Sequence, residues 1–121
     1  LKPSLILGLI ISLMIPAVPP FAQDTKAFNT YVDGPWGQVH VYVHEPGTGN
    51  VPTVVFLHRM TWNGSQFTNV QPLLADQGIR SISVDIPGYG MSDGPSYVPD
   101  VFEYADIVLP VMAHFGLETL N

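Results

Sequence analysis

The spacing of apolar residues along the chain distinguishes strands from helices. Residues 38–44 alternate, with Val39, Val41 and Val43 on one side, and this period of two predicts a strand with one buried face. A second β-rich run at 28–32 precedes it, across turn-forming residues at 33–37. Because Asp, Gly and Pro in so short a connection favour a tight turn, the two runs are predicted to form an antiparallel pair.

Two further runs have the composition of strands buried within a sheet. Residues 53–57 (TVVFL) are almost continuously apolar, and residues 80–84 (RSISV) form a second short run. Runs of this kind are typical of strands that are covered on both faces, as in a parallel sheet. We therefore predict a buried strand at each of these positions.

Apolar residues recur at helical spacing in the segment 67–77. Val70, Leu73 and Leu74 fall on one face, and Gly78 follows where a helix commonly takes a glycine cap. Pro72 favours a first regular turn near its own position, because proline is tolerated only at the start of a helix.

A second helix is predicted at 100–115, where Pro110 indicates a kink or a break. Its apolar residues at helical spacing are Phe102, Ala105, Val108, Leu109 and Met112. Leu120 and Asn121 have the character of a further strand that is just beginning. Strands that alternate with helices after an antiparallel pair predict an α/β sheet with right-handed crossovers.

The first 22 residues have the pattern of an export signal rather than of folded structure. Lys2 precedes an apolar run at 5–15, which is far shorter than the roughly 20 residues of a membrane-spanning helix. We expect a secretory signal at 1–22 that is removed after Ala22, leaving an exported chain at 23–121 without a stable membrane anchor. An uncleaved N-terminal anchor is the alternative.

Composition and charge exclude several kinds of partner and of reactive site. Ten acidic residues against four Lys and Arg give a net charge of −6, so the chain is not expected to bind nucleic acid. The absence of cysteine from the sequence excludes disulfides, thiolate metal sites and a Cys nucleophile. His40 and His44 alternate on one strand, but two such residues without a third ligand do not define a metal site. We expect neither a metal nor a cofactor.

Two motifs carry a resemblance to a known family. The strand at 53–57 ends at His58 before a polar loop, and the strand at 80–84 leads into the string DIPGYGMSD at 85–93. The chain resembles the N-terminal part of the α/β-hydrolase fold, in the group of esterases, epoxide hydrolases and dehalogenases. There an apolar strand ends in a His-Gly step, and the next parallel strand ends in a D-x-P-G-x-G-x-S-D loop. The resemblance covers about 27–121 and implies an incomplete α/β fold, in which an antiparallel hairpin leads into a parallel sheet with crossover helices.

The residue types at 85–93 indicate a stiff structural loop. Asp85 can accept hydrogen bonds from loop amides, and Ser92 and Asp93 can bond local backbone at the exit of the loop. Gly88 and Gly90 permit a positive φ or a close approach of the backbone. We therefore assign these five residues to structure rather than to catalysis.

For the loop after 53–57 the resemblance implies chemistry. In this fold the loop donates one backbone N–H to the oxyanion hole, and by position the donor here is the N–H of Met60. Arg59 stands where the family has a glycine. A side chain is tolerated there if φ is negative, and the oxyanion hole is distorted if the site needs a positive φ. The Arg59 side chain either binds a carboxylate or phosphate of a substrate or is a solvated surface group. Trp62 is a candidate for the wall of the substrate pocket. His58 comes too early in the chain to match the family's catalytic histidine and is predicted to be structural, bonded within its loop.

The nucleophile of the family is missing from these 121 residues, which contain no G-x-S-x-G elbow. The resemblance places that elbow beyond Asn121, so we expect an N-terminal piece of a longer exported hydrolase that is inactive alone. With a Ser nucleophile, a His base and an acidic partner, the whole protein would hydrolyse an ester, amide or related bond of a small-molecule substrate. An Asp nucleophile would redirect it to epoxide or carbon–halogen hydrolysis. A non-catalytic binding protein on the same fold, favoured only by Arg59, is the third possibility, and no oligomeric state is predicted.

Overall fold

A computed structural model describes residues 24–47 and 49–120. The predicted export signal at 1–22 lies outside the described residues. Among those that are described, no helix has both the length and the apolar character needed to cross a membrane.

Four strands form one mixed sheet: β1 (Lys26–Gly34), β2 (Gly37–Glu45), β3 (Thr53–Leu57) and β4 (Arg80–Val84). Their order across the sheet is β1-β2-β4-β3, and β2 pairs antiparallel with both β1 and β4. The strands β3 and β4 are parallel neighbours, with Leu57 opposite Val84 at their carboxyl ends. The predicted antiparallel hairpin that leads into a parallel pair is confirmed, and with it the α/β class of the fold.

Short helices connect and cover the strands: a 3₁₀ turn at Gly64–Phe67, α1 (Gln71–Asp76), α2 (Val101–Asp106) and α3 (Val108–His114). The helix predicted at 67–77 is thus shorter than expected, and a 3₁₀ turn precedes it. Pro72 lies in the first turn of α1, where the missing N–H of a proline has no helical partner to lose.

The helix predicted at 100–115 is divided in two, so the expected interruption is confirmed. Asp100 caps α2, since its carboxylate accepts two backbone N–H groups of the first turn. Pro110 has no N–H to offer the carbonyl of Asp106, and its ring crowds that carbonyl. The helix α2 therefore ends at Asp106, one turn before the proline itself.

The apolar core lies on one face of the sheet. Val41 and Val43 of β2 stand opposite Val84 and Ile82 of β4, and all four are buried. They belong to one cluster with residues of the hairpin and of the last helical region: Val32, Val39, Ile107 and Val111. The alternation that predicted a one-sided strand at 38–44 is confirmed by this arrangement.

Periodicity did not predict which face of each helix turns toward the sheet. In α1 the buried residues are Gln71 and Ala75, whereas Leu73 is 63% exposed. In α3 the buried residue is Val111, whereas Leu109 is 63% exposed. Both segments carry apolar residues around most of their circumference, so spacing located the helices without orienting them.

The prediction of strands covered on both faces holds for β4 but only in part for β3. Residues 81–84 are buried, while most of β3 is half-buried, because β3 has one strand neighbour among the described residues. Leu120, which was expected to open another strand, lies in irregular structure, and Asn121 is outside the described residues.

Candidate functional site

Two loops meet at the carboxyl edge of the parallel pair. Leu57 and Val84 are register partners, so the loops that begin at His58 and Asp85 start side by side. Open α/β sheets bind ligands in the crevice outside the carboxyl ends of their strands. This edge is therefore the candidate site.

His58 connects the two loops. Its ring Nε2 accepts the backbone N–H of Ile86 at 2.9 Å, and its Nδ1 lies 2.8 Å from the carbonyl oxygen of Arg59. An Nε2 that accepts leaves Nδ1 as the protonated nitrogen, which donates to the carbonyl. Both nitrogens of this buried ring are engaged, so neither is free to move a proton for a substrate.

Asp85 is the central acceptor of the second loop. Its Oδ2 lies 2.9 Å from His40 Nδ1 and accepts the N–H of Met91 at 2.9 Å. Its Oδ1 accepts the N–H of Gly64 at 2.6 Å. The side chain is fully buried, and three donors from three different parts of the chain converge on it. This carboxyl group therefore holds the surrounding backbone together.

Close packing around Asp85 demands glycine at two positions. Gly90 has a φ of 56°, and a Cβ there would overlap the Asp85 carboxyl group. At Gly64 a Cβ would lie 2.9 Å from the ring of Tyr42 and 3.0 Å from the Ser83 hydroxyl. Gly88, with a φ of 85°, also lies in the left-handed region that favours glycine.

Ser92 bonds the backbone of its own loop, as its residue type suggested, and both Ser92 and Asp93 also bond the distant strand β2. The Ser92 hydroxyl donates to the carbonyl of Asp85 at 2.6 Å and accepts the N–H of His40 at 2.8 Å. The Asp93 carboxylate accepts the N–H of Gln38 at 2.8 Å, and the Asp93 N–H donates to the Gln38 carbonyl at 2.8 Å. The loop is thereby fastened along β2.

His40, Asp85 and Ser92 bring together the side-chain types of a catalytic triad without its geometry. The Ser92 hydroxyl donates to a backbone carbonyl rather than to the imidazole. His40 and Asp85 are 1% and 0% exposed, so a substrate could not reach them. This group is structural.

The face of the sheet opposite the apolar core carries a buried polar layer, which sequence reasoning missed. The Gln71 amide donates to the carbonyls of Tyr42 and Ser81 at 3.0 and 3.3 Å, and the Ser83 hydroxyl donates to the Gly64 carbonyl at 2.7 Å. Burial raises the pKa of Tyr42, and the negative charge of Asp85 raises it further. The available signal was the polar alternation of β2 and β4.

The loop between His58 and Gly64 contains the proposed oxyanion donor. Met60 is 57% exposed, and its backbone N–H donates no hydrogen bond to any described part of the chain. Arg59 does not have a positive φ, so its side chain is tolerated in the glycine position. The left-handed residue of the loop is Thr61, with a φ of 70°, which is a strained conformation for a β-branched side chain.

An apolar cleft of about 470 Å³ opens beside this loop. Its walls are residues 57–60, Ile86 and Tyr89 of the two loops, and Val101 and Tyr104 of α2. Burial, followed by the proximity of Tyr89, raises the pKa of Tyr104. The phenol can donate a hydrogen bond into the cleft.

The two residues predicted to line a substrate pocket have different positions. Arg59 is part of the cleft wall, whereas Trp62 is not and is 47% exposed. The Arg59 guanidinium lies over the Trp62 ring, 5.2 Å from its centre. Trp62 therefore supports Arg59 rather than touching the cleft. Within residues 24–47 and 49–120 no three His, Asp or Glu side chains form a group that could hold a metal.

Comparison with known proteins gives a consistent family. The chain is 35% identical over 98 residues to Bifunctional epoxide hydrolase 2 of Sus scrofa, covering 80% of this chain and 17% of that protein. An epoxide hydrolase from an endophytic Streptomyces superposes with a TM-score of 0.69 at 26% identity, over 78% of this chain and 28% of that one. An esterase from Exiguobacterium antarcticum superposes with a TM-score of 0.63 at 30% identity, over 78% of this chain and 34% of that one. No protein-family model matches the chain.

The described residues are a part of an α/β-hydrolase fold, and the chain matches a fragment of the family of epoxide hydrolases, esterases and dehalogenases. The resemblance indicated by the two loop motifs is confirmed. The chain spans about a sixth to a third of the length of the relatives that it matches.

Replacement of Asp85 by Ala is expected to destabilise the protein by about 3–5 kcal/mol, because it leaves the buried His40 ring and the backbone N–H groups of Gly64 and Met91 without their hydrogen-bond partner. Urea unfolding measures the loss. Asp76→Ala, at an exposed position of α1, is the control and should stay within about 0.5 kcal/mol of wild type. A loss below about 1 kcal/mol for Asp85→Ala would contradict the central role of this carboxyl group.

Proposed function

We propose that this chain forms the oxyanion-hole side of an exported hydrolase that acts on a small-molecule substrate, and that the nucleophile, acid and base of the whole protein follow residue 121. The observation that supports it is the N–H of Met60, which follows the carboxyl end of β3 on the wall of an apolar cleft and donates to no described residue. The resemblance to hydrolases over most of the chain supports the same proposal.

In the main form of the proposal the reaction is acyl transfer. A Ser hydroxyl attacks the carbonyl carbon of an ester while a His takes the hydroxyl proton, and the carbonyl oxygen becomes an oxyanion. The Met60 N–H and the N–H of the residue after the nucleophile stabilise that charge. Collapse expels the alcohol, and water then releases the acid from the enzyme by the same steps.

An Asp nucleophile is the second candidate, because two of the similar proteins are named as epoxide hydrolases. Its carboxylate would attack an epoxide carbon and break the bond from that carbon to the ring oxygen, which takes a proton from an acid of the enzyme, so that a hydroxyalkyl ester is left on the enzyme. Water would then attack the carbonyl of that ester. The oxyanion formed in this second step would use the same N–H donor at Met60.

The sequence encoded beyond codon 121 distinguishes these candidates. A Gly-x-(Ser or Asp)-x-Gly string is expected within about 10–15 residues of Asn121, since the nucleophile elbow follows the next strand of the fold. Ser there should accompany turnover of p-nitrophenyl esters by the full-length protein, and Asp should accompany turnover of styrene oxide. A stop codon at that point would contradict the proposal, and an elbow with neither residue would indicate a binding protein.

The role of the Met60 amide is tested by removing its N–H. Met60→Pro should lower kcat of the full-length hydrolase by about 10²–10³-fold, the usual cost of losing one oxyanion donor. Met60→Leu keeps the N–H and a similar side-chain volume, so it should retain kcat within about three-fold. Thermal melting of both variants checks that they are folded. Equal kcat values for folded Pro and Leu variants would assign the oxyanion hole elsewhere.

Export is tested at the N-terminus of the secreted protein. N-terminal sequencing of the exported form should begin at Gln23, after removal of residues 1–22. Ile10→Arg, which interrupts the apolar run, should keep the protein inside the cell, whereas Ile10→Leu should leave export unchanged. Recovery of exported protein that still carries Leu1 or Lys2 would instead support an uncleaved anchor.

A further inference from the structure

Arg59 is a cation on the wall of the apolar cleft, and no described residue pairs with it as an anion. Among the described residues Arg80 is paired with Glu45 at 3.3 Å, whereas Arg59 forms no ion pair. The side chain is exposed at the cleft. The sequence holds only four Lys and Arg against ten acidic residues, so a cation at this position opposes the overall charge of the chain.

Arg59 is held at its backbone and at its guanidinium. Its carbonyl oxygen accepts from His58 Nδ1 at 2.8 Å, which fixes the backbone, and its guanidinium lies 5.2 Å from the centre of the Trp62 ring. A guanidinium within about 6 Å of the centre of an aromatic ring is attracted to the face of that ring, and this contact uses none of its N–H groups as hydrogen-bond donors. The Arg59 guanidinium is therefore oriented while its N–H groups remain available to bind a ligand.

The chemistry that complements such a fork is a carboxylate on an apolar stem. Arginine binds a carboxylate through two parallel N–H···O bonds, and Ile86 and Val101 on the cleft wall suit a hydrocarbon chain. A phosphate monoester carries about 1.5–2 negative charges, which a single guanidinium neutralises only in part. Within the described lining Arg59 is the one Lys or Arg, which favours the carboxylate.

We propose that the cleft selects substrates that carry a carboxylate, with Arg59 binding that group while the reacting carbonyl lies at the neighbouring Met60 N–H. Arg59 is then a specificity-determining residue for the hydrolase. This inference rests on the proposed function, because it names the class of substrate for the same cleft.

A matched pair of esters tests the proposal in the natural full-length protein. Mono-p-nitrophenyl succinate and p-nitrophenyl butanoate have the same chain length and differ in a terminal carboxylate. Arg59→Gln should raise KM for the succinate ester by about 10–100-fold, the usual effect of losing a charge-assisted hydrogen bond, and leave KM for the butanoate ester within about two-fold. Arg59→Lys should recover part of the affinity for the succinate ester. Arg80→Gln, the control, breaks the pair with Glu45 instead and should leave KM for both esters unchanged. Equal KM changes for both esters would overturn the proposal.

A binding measurement separates this inference from the proposed function. In a variant in which every tryptophan other than Trp62 is replaced by Phe, the fluorescence of Trp62 reports on the neighbouring Arg59. Hexanoate should change this fluorescence at concentrations at which hexanol does not, and Arg59→Gln should abolish the hexanoate response. If the carboxylate binds while no ester or epoxide is turned over, the proposed function fails and the recognition stands. If esters are hydrolysed but hexanoate and hexanol behave alike, the recognition fails and the function stands.

Discussion

One buried carboxyl group determines how the loops at the carboxyl edge of the parallel pair are built. Asp85 contacts the ring of His40 and accepts the amides of Gly64 and Met91. A buried polar group is costly unless its hydrogen bonds are made, so the three donors must stay in place for the fold to tolerate it. The strand β2, the 3₁₀ turn and the glycine-rich loop are therefore positioned by the same side chain, and the cleft beside them inherits that geometry.

Much of the fold could be predicted because its signals are local. The strands at 53–57 and 80–84 have the bounds that their short β-rich runs indicate, and Pro110 accounts for the interruption of the last helix. The orientation of the helices could not be predicted. Apolar residues lie on most sides of both helices, so spacing does not show that Leu73 and Leu109 point away from the sheet. In α1 the side that faces the sheet carries Gln71, whose amide bonds the buried polar layer.

The candidate site, like the fold, has parts that the sequence predicts and parts that it does not. Motifs located the two loops, and family order indicated Met60 as a donor. The N–H of His40 donates to Ser92 and the N–H of Gln38 donates to Asp93, across more than fifty positions of the chain. No local pattern reveals such pairs. The positive φ of Thr61 was equally hidden, since a β-branched residue is the least expected type in that conformation.

The loop between His58 and Gly64 is anchored at both ends and exposed in the middle. His58 is bonded to Ile86, Gly64 is bonded to Asp85, and residues 59–62 project to the surface. Substitutions within 59–62 therefore remove little buried area and break neither anchor, so recognition and folding can vary independently here. Arg59 and Met60, which form this part of the cleft wall, can therefore be replaced without rebuilding the scaffold that supports them.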